Sequence, residues 1–204
     1  MMAAKKLGKI NLKNAALFLC DIQEKFRGNI VYYPQIIYVA NRMLQAANIL
    51  EMPVVVTEQY PKGLGPTVSE IDVSQEKVFP KTSFSMLIPA VVDHIQTLPE
   101  MKSVILCGIE NHVCIQNTVL DLLEENFDVH IVADACSSRS MTDRMFAFQR
   151  MREAGAFITT SECVLLGLCG DAAHPKFKPV QKLITTSAPD TGLLSTSIKG
   201  ETAL

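Results

Sequence analysis

A chain of 204 residues, 48% hydrophobic and 20% charged, is long enough for one domain with a substantial core. A net charge of −2 leaves no basic footprint for nucleic acid, and no apolar run reaches the length of a membrane span. Six cysteines, scattered and without a CxxC, do not form a disulfide framework and fit a reducing, cytoplasmic setting.

Met1 to Lys13 carries four lysines, no arginine and no acidic residue. It is too short and too polar for a secretory signal and reads as a solvated arm, with organelle (mitochondrial) targeting as the alternative. Residues 14–186 form the domain. The first strand is the apolar run Ala15 to Cys20, ended by Asp21. Helical periodicity runs from Tyr38 to Leu50, and Pro53 to Thr57 is a β-branched strand. Pro61 to Asp72, with two glycines and a second proline, reads as an excursion. Lys77 to Phe79 is a short third strand, and Met86 to Leu98 a helix with Pro89 near its start. Ser103 to Cys107 and Val129 to Ala133 are two further strands with a helix between them. Thr142 to Ala154 is a helix stopped by Gly155, Ala156 to Thr160 is the last strand, and Ser161 is positioned to cap a short helix. The tail, 187–204, is rich in Ser, Thr and Gly; it is either mobile or packed on another subunit. Strands alternating with helices give an α/β fold: a doubly wound, mostly parallel sheet of about six strands with helices on both faces.

This architecture directs attention to three residues. Gly108 breaks the fourth strand, and Cys114 then falls in the first turn of the helix after it. Free N–H groups and the helix dipole favour a thiolate there. In doubly wound sheets ligands bind beyond the carboxyl ends of the strands, where the winding reverses. Asp21 ends the first strand, next to the fourth, and Lys81 follows the third. An acid, an amine and a thiol thus converge on one crevice, and the trio supplies the base and the cation that an active thiol requires.

The stretches Leu17-Phe-Leu-Cys-Asp-Ile-Gln, Lys81-Thr-Ser-Phe, Gly108-Ile-Glu-Asn-His-Val-Cys-Ile-Gln-Asn-Thr and Val132-Ala-Asp-Ala-Cys-Ser-Ser-Arg-Ser resemble the isochorismatase-like cysteine hydrolases, in that family's order. Glu58-Gln-Tyr-Pro-Lys-Gly-Leu-Gly-Pro-Thr resembles one subgroup of it. The resemblance implies a catalytic triad of Asp21, Lys81 and Cys114 that cleaves C–N bonds in small amide-like or carbamoyl-like compounds through a thioester. It also implies a cis peptide at Ile109-Glu110, an oxyanion hole from the N–H groups of Glu110 and Cys114, and association into homo-oligomers.

The family pattern is not followed throughout. Nicotinamidases of the family carry an Asp-x-His metal motif shortly after the acid; Ile22 to Gly28 holds no histidine, so neither a metal nor another cofactor is expected. Glu110 stands where the amidases carry a small or hydroxylated residue, and reads either as a substrate contact or as a turn residue. Isochorismatases proper lack the cysteine. Phe26, Tyr60 and Phe84 are candidate walls of the substrate pocket. The plainer readings are that Asp21 caps a turn, that Lys81 is a solvated loop lysine, and that His112 is a hydrogen-bonded surface residue. Cys20, Cys107, Cys136, Cys163 and Cys169 read as structural thiols. The functional alternative is a catalytically silent module that binds a protein partner. A redox-sensing thiol is the third reading, and no resolving pair is evident for it.

Overall fold

The computed structural model describes residues 7–98 and 101–193. The targeting reading of the first six residues and the subunit-packing reading of the tail beyond Leu193 lie outside them. Six strands form one sheet: β1 (Ala15–Cys20), β2 (Val54–Gln59), β3 (Val78–Lys81), β4 (Ser103–Ile109), β5 (Asp128–Ser137) and β6 (Phe157–Thr159). Their order is β3-β2-β1-β4-β5-β6, and every neighbouring pair is parallel. The chain winds outward on one side of β1, returns, and winds outward on the other. The switch point therefore lies between β1 and β4.

Period-two alternation splits each central strand between two cores. Ala15, Leu17 and Leu19 face a cluster built with α1 (Tyr33–Leu50), α6 (Ser161–Cys169) and α7 (Phe177–Ile184). Ala16, Phe18 and Cys20 face the opposite cluster, built with α3 (Pro89–Gln96), α4 (Gln116–Glu124) and α5 (Met141–Glu153). A one-turn helix, α2 (Pro61–Leu64), lies in the expected excursion. β3 is the edge strand, which is why it tolerates Pro80. Among the described residues, no helix is long and apolar enough to cross a membrane.

Several boundaries differ from the sequence expectation. β4 continues through Gly108 to Ile109, β5 extends to Ser137, and Lys81 is the last residue of β3 rather than following it. α1 starts at Tyr33, five residues before Tyr38, because Pro34 opens the helix rather than breaking it. Ser161 does not cap α6: Thr160 holds the cap position. The Ser161 N–H and hydroxyl both donate to Asp134 of β5, at 2.8 and 2.6 Å. α7 was not expected. Its apolar residues Phe177, Val180, Leu183 and Ile184 have helical spacing, with Pro179 in the first turn, where proline costs little.

His130 lies in β5, 2% exposed and stacked on Phe157 with ring centroids 5.0 Å apart. Burial pulls its pKa down from 6.5 to about 4, against the opposing charge of Asp128. The folded protein thus keeps this ring neutral where the unfolded chain would protonate it. Its contribution is present in full above pH 6.5 and is lost as the pH falls towards 4. Urea midpoints compared between pH 7 and pH 4.5 should drop less for His130→Phe than for the wild type. Equal drops would remove His130 from the acid sensitivity.

Candidate active site

Asp21 follows β1 directly and turns with φ 56°, a left-handed conformation that Asp tolerates better than most residues. Its N–H donates to Thr57 O at 3.1 Å, which ties the end of β1 to β2. The carboxylate is 1% exposed. Oδ1 accepts from the Thr57 hydroxyl at 2.8 Å, and Oδ2 from Lys81 Nζ at 2.7 Å.

Lys81 is the last residue of β3, with no exposed side-chain surface. Its ammonium also donates to Gln59 Oε1 at 2.6 Å and to the carbonyls of Ser83 and Phe84, each at 3.1 Å. Burial pulls the pKa of Lys81 down, but the anionic groups beside it outweigh this and hold it above the usual lysine value. We assign that mainly to Asp21, since Cys20 is held as a neutral thiol. A buried ion pair is stable only where its spare hydrogen-bonding capacity is filled. Here four acceptors surround an ammonium with three protons. Gln59 is held in turn, its Nε2 donating to Thr82 O at 2.9 Å.

Cys114 arrives from β4. The pairing of β4 with β5 shifts register between Leu106 and Gly108, and Gly108 has φ 135°. A Cβ at Gly108 would lie within 3 Å of the Cys20 backbone. The Ile109-Glu110 peptide is cis. Asn111–Ile115 then forms a single π turn ahead of α4, an irregularity common at functional sites. Cys114 is 6% exposed, and its carbonyl accepts from the Thr118 hydroxyl at 2.6 Å. Its Sγ lies within 4.8 Å of both a carboxylate oxygen of Asp21 and Cys20 Sγ.

Cys20 reads in the sequence as a structural thiol, and the structure places it beside the candidate acid. It is fully buried, yet its Sγ donates to Asp21 Oδ2 at 3.4 Å. Burial, together with hydrogen bonding to Cys114 and the charge of Asp21, pushes its pKa well up. Strand parity could have found it: Cys20 faces the same side as Phe18, the side on which α4 packs. Cys107 is buried on the other face. Cys136 is buried with its pKa pushed up to about 12 by burial, Cys169 is buried at the end of α6, and Cys163 is exposed.

The Glu110 carboxylate accepts from the N–H, Nε and Nη2 of Arg139, at 3.1, 3.2 and 2.9 Å. Arg139 thus occupies the carboxylate that a substrate contact would need. Tyr60 and Phe84 are both more than half exposed and flank Lys81: the Tyr60 N–H donates to Lys81 O at 2.7 Å, and Phe84 accepts from Lys81 Nζ. Phe26 is half-buried against the α1 side of the core. His112 Nδ1 sits 2.9 Å from Ser138 Oγ. Thr57 and Gln59, which hold the acid and the amine, were not singled out in the sequence. Their role depends on β2 lying beside β1. Among the described residues, one group of three side chains could hold a metal ion: Cys20, Asp21 and Cys114. The Lys81 ammonium, hydrogen-bonded to Asp21, opposes a dication there.

The chain belongs to the isochorismatase family, whose domain matches residues 15–163. Isochorismatase domain-containing protein 2 from Xenopus laevis is 60% identical over 195 residues, covering 96% of this chain and 95% of the relative; the human protein of that name is 55% identical over 195 residues, covering 95% of each. The solved structure described as MAR1 ribonuclease from Caenorhabditis elegans superposes with TM-score 0.87 at 55% identity, covering 91% of this chain and 96% of that one.

Proposed function

We propose that the protein is a metal-independent cysteine hydrolase that cleaves a C–N bond in a small amide-like or carbamoyl-like compound. The observation that carries this reading is the buried Asp21–Lys81 pair beside the Cys114 thiol. Cys114 Sγ attacks the carbonyl carbon, and Asp21 takes the thiol proton and delivers it to the leaving amine. The separation of thiol and carboxylate tightens when substrate binds, as is common for apo enzymes. The N–H groups of Glu110 and Cys114 receive the oxyanion. The amine leaves a thioester on Cys114, and water, deprotonated by Asp21, releases the acid and restores the thiol. Lys81 keeps Asp21 in place and adds positive charge. Tyr60 and Phe84 form the rim of the pocket, and the chain works as a homo-oligomer.

The name of the nematode relative raises phosphodiester cleavage as a second reading. Phosphoryl chemistry needs cationic charge free to meet phosphate oxygens. Lys81, the buried cation of the site, is fully engaged with protein acceptors; Arg139 is paired with Glu110, although its side chain is 64% exposed. The C–N reading is therefore favoured. The test is a screen of small amides, ureas and carbamoyl compounds, with single-stranded RNA as a separate arm, run on wild type and Cys114→Ala. An amide-type substrate turned over only by the wild type supports the reading. RNA cleavage that needs Cys114, with no small-molecule turnover, overturns it. Exhaustive chelation should leave the rate on that substrate unchanged. Loss of activity on chelation, restored by returning zinc or iron, would show that a metal is required.

A further inference from the structure

Two thiols share one carboxylate in this site. Cys20 Sγ donates to Asp21 Oδ2 at 3.4 Å, and Cys114 Sγ lies within 4.8 Å of both. All three side chains are buried. Hydrolysis as proposed above uses Asp21 and Cys114 and gives Cys20 nothing to do. We propose that Cys20 and Cys114 form a hydroperoxide-reactive modification site, in which Cys20 closes a reversible disulfide onto the oxidised nucleophile.

The chemistry needs one external reactant, a hydroperoxide. Asp21 takes the Cys114 proton, and the sulfur attacks the peroxide. The S–O bond forms, the O–O bond breaks, and the departing oxygen takes the proton from Asp21 to leave as an alcohol, or as water from hydrogen peroxide. The sulfur has lost two electrons to the peroxide and is now a sulfenic acid. Cys20 then passes its proton to Asp21 and attacks the Cys114 sulfur. The S–S bond forms, the S–O bond breaks, and hydroxide leaves as water with the proton held on Asp21. Overall, two thiols and one hydroperoxide give a disulfide, an alcohol and water.

The fold favours this pair over the others. A disulfide needs sulfurs about 2 Å apart, and a rotamer change at either cysteine moves its sulfur by an amount comparable to the remaining gap. The approach is set by Gly108, whose missing side chain lets β4 close onto the Cys20 backbone. Cys107 and Cys136 are also near enough to influence each other. Their strand residues face opposite sides of the sheet, and the Cys136 thiol donates to the Leu106 carbonyl at 3.7 Å. The burial that keeps Cys20 a thiol at neutral pH also protects it from direct oxidation. It reacts only once Cys114 has been oxidised and Asp21 can take its proton.

The proposal uses the same Asp21 and Cys114 as the hydrolytic reading but does not require turnover, so it is tested on the thiols themselves. The full chain is treated with stoichiometric hydrogen peroxide, denatured in N-ethylmaleimide, and mapped by peptide mass spectrometry with and without dithiothreitol. The wild type should yield the Cys20 and Cys114 peptides joined, and both should become alkylatable after reduction. Cys20→Ser, or Cys20→Ala if that variant does not fold, should instead stop at a sulfenic acid on Cys114. Dimedone traps that species, and excess peroxide carries it to a sulfinic acid that dithiothreitol does not reverse. The proposal is overturned if wild-type Cys114 reaches sulfenic or sulfinic acid while Cys20 stays alkylatable. It is equally overturned if the link joins Cys114 to another cysteine, or if only exposed Cys163 is oxidised.

Discussion

Asp21→Asn is expected to lower turnover by about 10²–10⁴-fold, the usual contribution of a positioned general base, while leaving Cys114 open to iodoacetamide. Asn keeps the size of the side chain and an oxygen that can accept from Thr57 or Lys81, which reach the carboxylate at 2.8 and 2.7 Å. It cannot carry a proton from sulfur to amine. The two readouts therefore separate: chemistry stops, and the thiol remains present and reachable. Peptide mapping after limited alkylation, beside rates on the substrate found by the screen, distinguishes this from a folding defect. Among the six cysteines, Cys114 should carry most of the label: Cys20, although in the site, is held as a neutral thiol by burial, Cys107, Cys136 and Cys169 are buried, and Cys163 is exposed without the candidate acid beside it. Wild-type turnover in the Asn variant would remove Asp21 from the mechanism. An even spread of label would remove Cys114.

Lys81→Met should cost about 3–5 kcal/mol of unfolding free energy, the penalty for leaving one member of a buried ion pair without its partner. Both side chains are at most 1% exposed, so solvent does not screen the loss. Met fills the volume of the lysine stem but leaves Asp21, Gln59 Oε1 and the Ser83 and Phe84 carbonyls without their shared donor. Labelling of Cys114 should also slow, because the cation that favours thiolate is gone. Pairing the change with Asp21→Asn should return much of the stability, since the uncompensated charge is then removed. Urea unfolding of the two single variants and the double variant measures this cycle. If the single Lys81 variant unfolds at the wild-type midpoint, the pair contributes nothing to the fold.

The sequence carried the strands well, since most centre on a short apolar run, and the alternation of strands with helices led to the doubly wound sheet with β1 beside β4. Asp21 and Lys81 were visible as polar residues at or just past apolar runs, and Cys114 as a cysteine opening the helical segment after β4; the structure brings the three side chains together. What it hid depends on which strand lies beside which. Thr57 holds Asp21 only because β2 pairs with β1 so that Cys20 lies opposite Thr57. Gln59 reaches Lys81 across the pairing of β2 with β3. Glu110 and Arg139 are 29 residues apart and meet because β4 and β5 end together. Arg144 is another such case: fully buried, it donates to the carbonyls of Ala133 and Thr191 and so ties residues of the expected tail to the domain. The face of Cys20 follows from counting along β1, which is buried on both sides, and hydropathy alone marks only that burial. It does not record register, on which each of these hydrogen bonds depends.

Gly108 constrains any redesign of this site. Its bare α-carbon sets how closely the strand bearing the acid and the strand bearing the thiol can approach, and any larger residue there would meet the Cys20 backbone. Substitution at this position would wedge the two halves of the machinery apart rather than adjust them. Diversity introduced to change substrate preference belongs instead in the connections after β2 and β3, where Tyr60 and Phe84 stand exposed and a new side chain can alter the entrance without moving the floor.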